Sequence, residues 1–277
     1  VGTLDMALRD AAAKIAGQPL YRFLSELLGR HPSTPIALYA AGGYSYPADD
    51  NRRLADEVRQ FLYAGYTHIK IKIGERPLEE DLTRIETALA LLPRGDRLAV
   101  DAMHRYRPEL ARRVAGVLAP YRLRWLEDIC DPQDFLTHAQ IAEFYDPALA
   151  AGEALFSRSD AANLIRYGGL RPGRDVLLFD PAHCYGLPEY LGIVDLMETN
   201  GWPRSAFQPH GGHLFSLHVA AALGLGGSEA NPRIFQPFGG FSDNATIENG
   251  TLRPPEQPGI GFESRIELHK AFHALLS

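Results

Sequence analysis

The stretch HIKIKIG carries two lysines, Lys70 and Lys72, two residues apart. In an extended strand they point to one side while Ile69, Ile71 and Ile73 point to the other. The chain has only four lysines among its 28 basic residues, the rest being arginine. Arginine serves wherever a fixed positive charge is enough, whereas a lysine amine can give up its proton when buried or crowded. Repulsion within the pair, with a metal ion nearby, would favour a neutral amine able to act as a base. Further along, five polar residues each close a short apolar run: Asp101 in RLAVDAM, Glu127 in LRWLEDI, Glu153 in ALAAGEALF, Asp180 in VLLFDPA and His210 in SAFQPH. Counted from Lys72, these closing residues are separated by 29, 26, 26, 27 and 30 positions, the length of one strand and one helix.

Taken singly, each acid reads as a helix cap or a rim ion pair. Their shared phase says more, because Asp101, Glu127 and Glu153 would then close consecutive strands and crowd three carboxylates together. Like charges that close take up protons unless a cation neutralises them. Three monodentate oxygens fill half of an octahedral Mg2+ shell and leave places for water and substrate oxygens. With no His or Cys in the set, Mg2+ is preferred over Zn2+. Asp180 beside His210 would fix the imidazole's orientation and raise its pKa, making it a fit acid or base. A metal between a lysine base and a histidine acid suits removal of a proton next to a carboxylate, where the extra charge of an enediolate must be held.

The elements that position these residues follow from hydrophobic period. LADEVRQFLYAG, LEEDLTRIETALALL and PELARRVAGVLAPY are amphipathic helices set between the apolar runs. Strand-then-helix alternation implies parallel strands with crossover helices, and seven or eight such units predict a (β/α)8-type TIM barrel. A doubly wound sheet would announce a glycine-rich phosphate turn, and the sequence has no GxGxxG. Two short helices, broken by Gly17 and Pro19, precede the first strand. The segment from Asn231 to about Phe262 is rich in Pro and Gly and reads as an ordered C-terminal extension. No linker divides the chain, so residues 1–277 are expected to form one barrel domain.

Composition narrows the partners. A net charge of -6 without a basic run argues against a nucleic-acid surface, and no apolar run reaches the roughly 18 residues of a membrane helix. Cys130 and Cys184 are isolated, which disfavours a disulfide or zinc framework and suits a reducing cytoplasm. Small molecules are the expected partners. The chain opens with Val1 directly into a helical pattern, and further residues are expected before it.

These residues resemble the barrel domain of the enolase superfamily, mandelate racemase subgroup, over nearly the whole chain. The resemblance rests on Lys70-x-Lys72, on Asp101, Glu127 and Glu153, and on the Asp180/His210 pair. Within the subgroup, AGGY (41–44), GDRLAVDA (95–102), NLIRYGGLRPGRD (163–175), PHGGH (209–213) and FQPFGGF (235–241) are similar to the D-tartrate dehydratase group. The resemblance implies the modified (β/α)7β form of the barrel, an N-terminal capping domain ahead of Val1, and a small anionic hydroxy-acid substrate bound by a homo-oligomer. It also implies Lys72 as the base, Lys70 as holder of the substrate carboxylate, His210 as the acid oriented by Asp180, and substrate contacts from Glu229 and Tyr44. Met103 and Asp128 stand where the family commonly has Asn and a second Glu, and His183 adds a titratable group at the rim. The expected reaction is Mg2+-dependent dehydration of tartrate or a related hydroxy dicarboxylate or sugar acid. Alternatives are a racemase using Lys72 and His210 as two bases, a Schiff-base aldolase through Lys72, and a ligand-binding relative without turnover.

Overall fold

The computed structural model describes residues 1–237 and 239–276. Helices α1 (Gly2–Ile15) and α2 (Leu20–Leu27) come first, separated where Gly17 takes a φ of 66° and Pro19 caps α2. Strand and helix then alternate: β1 (Ile36–Gly42), α3 (Asp50–Tyr63), β2 (Ile69–Lys72), α4 (Leu78–Leu89), β3 (Leu98–Asp101), α5 (Pro108–Leu118) and β4 (Leu126–Glu127). The series continues with α6 (Phe135–Ala142), β5 (Leu149–Ala151), α7 (Arg158–Tyr167), β6 (Val176–Leu177), α8 (Leu187–Thr199), α9 (Leu214–Leu223) and β7 (Ser228–Ala230). Strand β8 (Thr251–Leu252) pairs antiparallel with the start of β1, and α10 (Ile266–Leu276) ends the described chain.

Parallel pairing runs β6-β5-β4-β3-β2-β1-β7. The ring closes through the extended segment at 207–210. Phe207 bridges Leu177, the Gln208 N–H donates to the Leu177 carbonyl at 2.9 Å, and the Glu229 N–H donates to the Pro209 carbonyl at 3.1 Å. Counting that segment, each parallel stave except β7 is followed by a helix, which is the (β/α)7β form of the barrel. The apolar runs ending in Asp180 and His210 form much shorter strands than expected. Regular pairing in the first run covers only Val176–Leu177 and the second holds one bridge, Phe207 to Leu177, although the Leu178 N–H still donates to the Ala151 carbonyl at 2.9 Å and the His210 N–H to the Leu178 carbonyl at 3.4 Å. Asp180, His210 and Glu153 lie past the regular strands.

Two apolar layers hold the barrel. Outward-facing Ile69, Ile71, Leu98 and Val100 pack against Leu54, Val58, Phe61 and Ile85 of α3 and α4, the inward faces of amphipathic helices. Inside, Tyr39, Ala99, Trp125, Ala150 and Leu178 fill the ring below the lysines. Helix α9 is buried on every residue, including His218, because α2 covers its outer side. The His218 Nδ1 accepts from the Tyr21 N–H at 3.1 Å and its Nε2 donates to the Ile260 carbonyl at 3.0 Å. Both cysteines are free and buried, and among the described residues no helix is long and apolar enough to cross a membrane.

Candidate active site

The register carries the strand-end residues to one place. Lys72 pairs with Asp101 and Asp101 with Glu127 across β2, β3 and β4, and adjacent strands lie about 4.8 Å apart. Lys70 and Lys72 both face the barrel interior. The Lys72 ammonium donates to Asp101 Oδ2, and its charge lies 5.6 Å from the centre of the Tyr44 ring. Lys70, one layer lower and 0% exposed, has its Nζ 2.5 Å from Glu127 Oε1, 3.4 Å from Glu229 Oε1 and 3.7 Å from Asp101 Oδ2. It also lies 5.3 Å from the centre of the Tyr39 ring.

A buried ammonium costs several kcal/mol unless paired, and here the acids outweigh that cost. Burial pulls both lysines down, but Glu127 and Glu229 around Lys70, and Asp101 beside Lys72, hold them above the usual lysine range. The expectation of a neutral Lys72 therefore does not describe this charge state, although Lys70 does push the Lys72 pKa down. Asp101 is depressed despite its burial, by Lys72, Lys70 and the Met103 N–H, which donates to Oδ1 at 2.7 Å. Glu127 and Asp128 are raised, chiefly by burial and then by neighbouring acids. A raised Glu127 sits badly with its 2.5 Å contact to Lys70. The conflict reflects a region with more carboxyl groups than cations: Asp101, Glu127, Asp128, Glu153, Asp180 and Glu229 against Lys70, Lys72 and His210.

That imbalance is the test of whether a divalent cation fits. Oxygens of Asp101, Glu127 and Asp128 come within 4.8 Å of one another, and Asp128 and Glu153 form a second such group with His104. Asp128 Oδ2 and Glu153 Oε2 are enclosed and make no well-directed hydrogen bond, with only His104 Nε2 at 3.2 Å and His210 Nε2 at 3.3 Å beside them. Unsatisfied carboxylate oxygens in a surplus of negative charge, with an all-oxygen set available, match a hard cation such as Mg2+. Asp101, Glu127 and Glu153 do not themselves form one tight group in this structure; Asp128 links them.

On the far side of the mouth, His210 Nδ1 lies 3.0 Å from Asp180 Oδ2. Burial disfavours the imidazolium, but Glu229, Asp180 and Glu153 override it and raise the His210 pKa to about 9. Asp180, though buried, is depressed by hydrogen bonds from His210 and His213. Its other oxygen accepts from the Ala182 N–H at 2.7 Å. His210 Nε2 points to Glu153 Oε2 at 3.3 Å and stands 3.9 Å from Glu229 Oε2. Gly152, at φ 127° and packed on the Phe179 N–H, gives the turn that brings Glu153 to this mouth.

Two further charges complete this network. Glu229 is on β7, 2% exposed, and its oxygens meet Lys70 and the Gly211 N–H, which donates at 3.0 Å. A buried, ionised acid there repels a substrate carboxylate and instead balances Lys70 and His210. Lys70 is likewise enclosed by acids of the chain, which match its charge in this structure. Tyr44 is half-buried beside Lys72, and burial raises its hydroxyl pKa, leaving it a neutral hydrogen-bonding group.

Residues missed by sequence reasoning surround these. Trp125 donates from Nε1 to Glu127 Oε2 at 2.7 Å and meets Tyr39 edge-on at 4.9 Å. Its position two residues before Glu127, on the same strand face, was the available signal. His104 Nε2 lies 3.2 Å from Asp128 Oδ2. Asp128 and His104 have φ of 48° and 58°, turns that no spacing rule reveals. His213 Nε2 lies 3.6 Å from Asp180 Oδ1, and the ring of His183, half-exposed, lies 5.4 Å from that of His210, tilted by 43°. A recess of about 700 Å3 between Pro35, Leu214 and the 241–257 segment holds none of these residues, so the chemistry locates the site and not the size of a hollow. Of the quoted segment FQPFGGF, Phe238 lies outside the described residues.

Residues 53–268 match the family described as Enolase C-terminal domain-like. The arabinonate dehydratase of Saccharolobus solfataricus is 26% identical over 96% of this chain and 69% of its own length. The L-talarate/galactarate dehydratase of Salmonella typhimurium is 28% identical over 95% of this chain and 62% of its own length. The crystal structure of an L-talarate dehydratase from Polaromonas sp. JS666, complexed with Mg and L-glucarate, superposes with a TM-score of 0.77 at 27% identity, covering 94% of this chain and 68% of the other. The chain thus spans about two thirds of the length of these relatives.

Proposed function

From the membership of this chain in the Enolase C-terminal domain-like family, we propose that its site is that of an Mg2+-dependent acid dehydratase. It would remove the proton next to a carboxylate and expel the hydroxyl one carbon further on. The observation that carries the reading is the placement of Lys72 and the Asp180–His210 pair on opposite sides of one surplus-acid cluster.

Asp101, Glu127 and Glu153, with Asp128 beside them, are the residues that would hold the metal. When bound, the ion's chemistry is to stabilise the negative charge that develops as the proton leaves. Lys72 takes that proton. It can do so once Asp101 no longer neutralises it, since burial and Lys70 both then favour the free amine. His210, carrying its proton at neutral pH, delivers it from Nε2 to the departing hydroxyl, which leaves as water. Asp180 on Nδ1 holds the ring in line throughout. The remaining enol tautomerises to a 2-keto acid, so atoms and charge balance.

For substrate, the reading takes a sugar acid or hydroxy dicarboxylate, tartrate included. Support comes from the polyhydroxy-acid dehydratases among the relatives and from the segments resembling the tartrate group. The test is incubation with Mg2+ and a panel of aldonates, aldarates and tartrates, assaying keto acid and exchange of the α-proton in D2O. Keto acid from one member, absent in Lys72→Ala, supports the proposal. Exchange without water loss would favour the racemase instead, and neither product nor exchange with any member would remove the dehydratase reading.

A further inference from the structure

The opposite end of the barrel, where the strands begin, carries a second polar constellation. A recess of about 440 Å3 is lined by His68, Arg94, Asp96, Arg97, Arg124 and Arg174, among others. These residues precede β2, β3, β4 and β6, so four separate loops bring them together. The Arg124 N–H donates to the Leu98 carbonyl at 2.8 Å, which sets Arg124 directly beside Arg97.

The charges do not balance. Arg94 is paired with Asp96 at 2.5 Å and Arg174 with Asp146 at 2.9 Å. Among the described residues, neither Arg97 nor Arg124 has an acidic oxygen at ion-pair distance. Arg97 Nη1 instead lies 3.0 Å from His68 Nε2, so a neutral His68 accepts from it. Arg124 lies 5.0 Å over the Trp125 ring, and its Nε is enclosed with no hydrogen-bond partner. Burial, then Arg124 and Arg97, depress the His68 pKa to about 4. Arginine cannot relieve this by losing its proton, so two partly buried guanidiniums side by side leave an attraction for an anion unsatisfied.

We propose that this recess binds a phosphate group, either free or carried on a small ester. Two planar guanidinium forks each match a pair of phosphate oxygens, and their two charges match a dianion. The volume admits more than the phosphate alone. The inference does not depend on the dehydratase reading: Arg97 and Arg124, which would hold the phosphate, have no role in the proposed reaction, although Trp125, which lines the recess, also donates to Glu127 at the other end.

Calorimetric titration of the whole protein at low ionic strength, with inorganic phosphate and separately with glycerol 1-phosphate, tests it. Saturable binding is expected, weakened at least tenfold in Arg97→Gln and in Arg124→Gln. Tighter binding of the ester identifies an esterified ligand, and equal or weaker binding identifies free phosphate. Should a variant fail to fold, the wild-type His68 imidazole still reports, because a bound anion raises its pKa in an NMR titration. No saturable binding, binding unchanged in the double variant, or a His68 titration indifferent to phosphate overturns the proposal. So does a change of oligomeric mass in Arg97→Gln without phosphate binding, which would assign the recess to an acidic protein surface.

Discussion

Replacing His218 by glutamine should flatten the acid side of this protein's stability profile. His218 is 0% exposed in α9, where it joins α2 and the 260 segment through two ring nitrogens. Burial depresses its pKa to about 4, against 6.5 ordinarily, and the bond to the Ile260 carbonyl offsets this only in part. Because the folded-state pKa lies below the unfolded one, the unfolded chain binds the proton more readily. The contribution is therefore complete above pH 6.5 and is lost as pH falls toward 4. At pH 5 the linkage amounts to about 2 kcal/mol, and below pH 4 to about 3 kcal/mol. Glutamine can donate and accept at the same two places without titrating. Urea unfolding of wild type and His218→Gln from pH 8 to pH 4.5 should show the variant less stable at pH 8, by about 1 kcal/mol for imperfect bonds. The gap should close or reverse toward pH 5. His68 and the carboxylates titrate in both proteins, so the difference isolates His218. Parallel curves would refute the claim that burial keeps this imidazole neutral.

Three predictions concern the site. Lys72→Arg keeps a cation beside Asp101 but cannot supply a neutral amine, so α-proton exchange in D2O should fall by roughly 10²–10⁴-fold; near-normal exchange would exclude Lys72 as the base. Trp125→Phe removes the 2.7 Å bond that orients Glu127, and Mg2+ affinity measured by calorimetry should weaken roughly 10–100-fold; unchanged affinity means that Trp125 does not position that carboxylate. Asp180→Asn withdraws a charge from His210 and should lower its pKa from about 9, seen by NMR as titration nearer the ordinary imidazole range. An unmoved His210 would show that Asp180 is not its electrostatic partner.

Much of the barrel was legible because its signal is local. Apolar runs and amphipathic helices repeat at the length of one strand-helix unit, and the period alone implied parallel staves, the rim and the residues at it. The lysine pair announced itself by rarity and by the two-residue alternation of a strand. Strand lengths were not legible at Asp180 and His210, since the apolar run continues past the residues that pair regularly.

What sequence could not supply was depth and charge balance. Lys70 and Lys72 look equivalent along the chain, yet one is sealed among Glu127 and Glu229 and the other faces the mouth, a difference set by the layers of the barrel. Glu229 reads as a loop acid and is a buried counter-charge. Asp128 reaches the metal-competent cluster only through a left-handed backbone turn. Sequence shows no basic run, but three strand entrances gather Arg94, Arg97, Arg124 and Arg174 around one recess. Residue types and period thus determined which chemistry was present and on which rim. Only the closed ring, by deciding which charges share a low-dielectric interior, determined their partners and protonation.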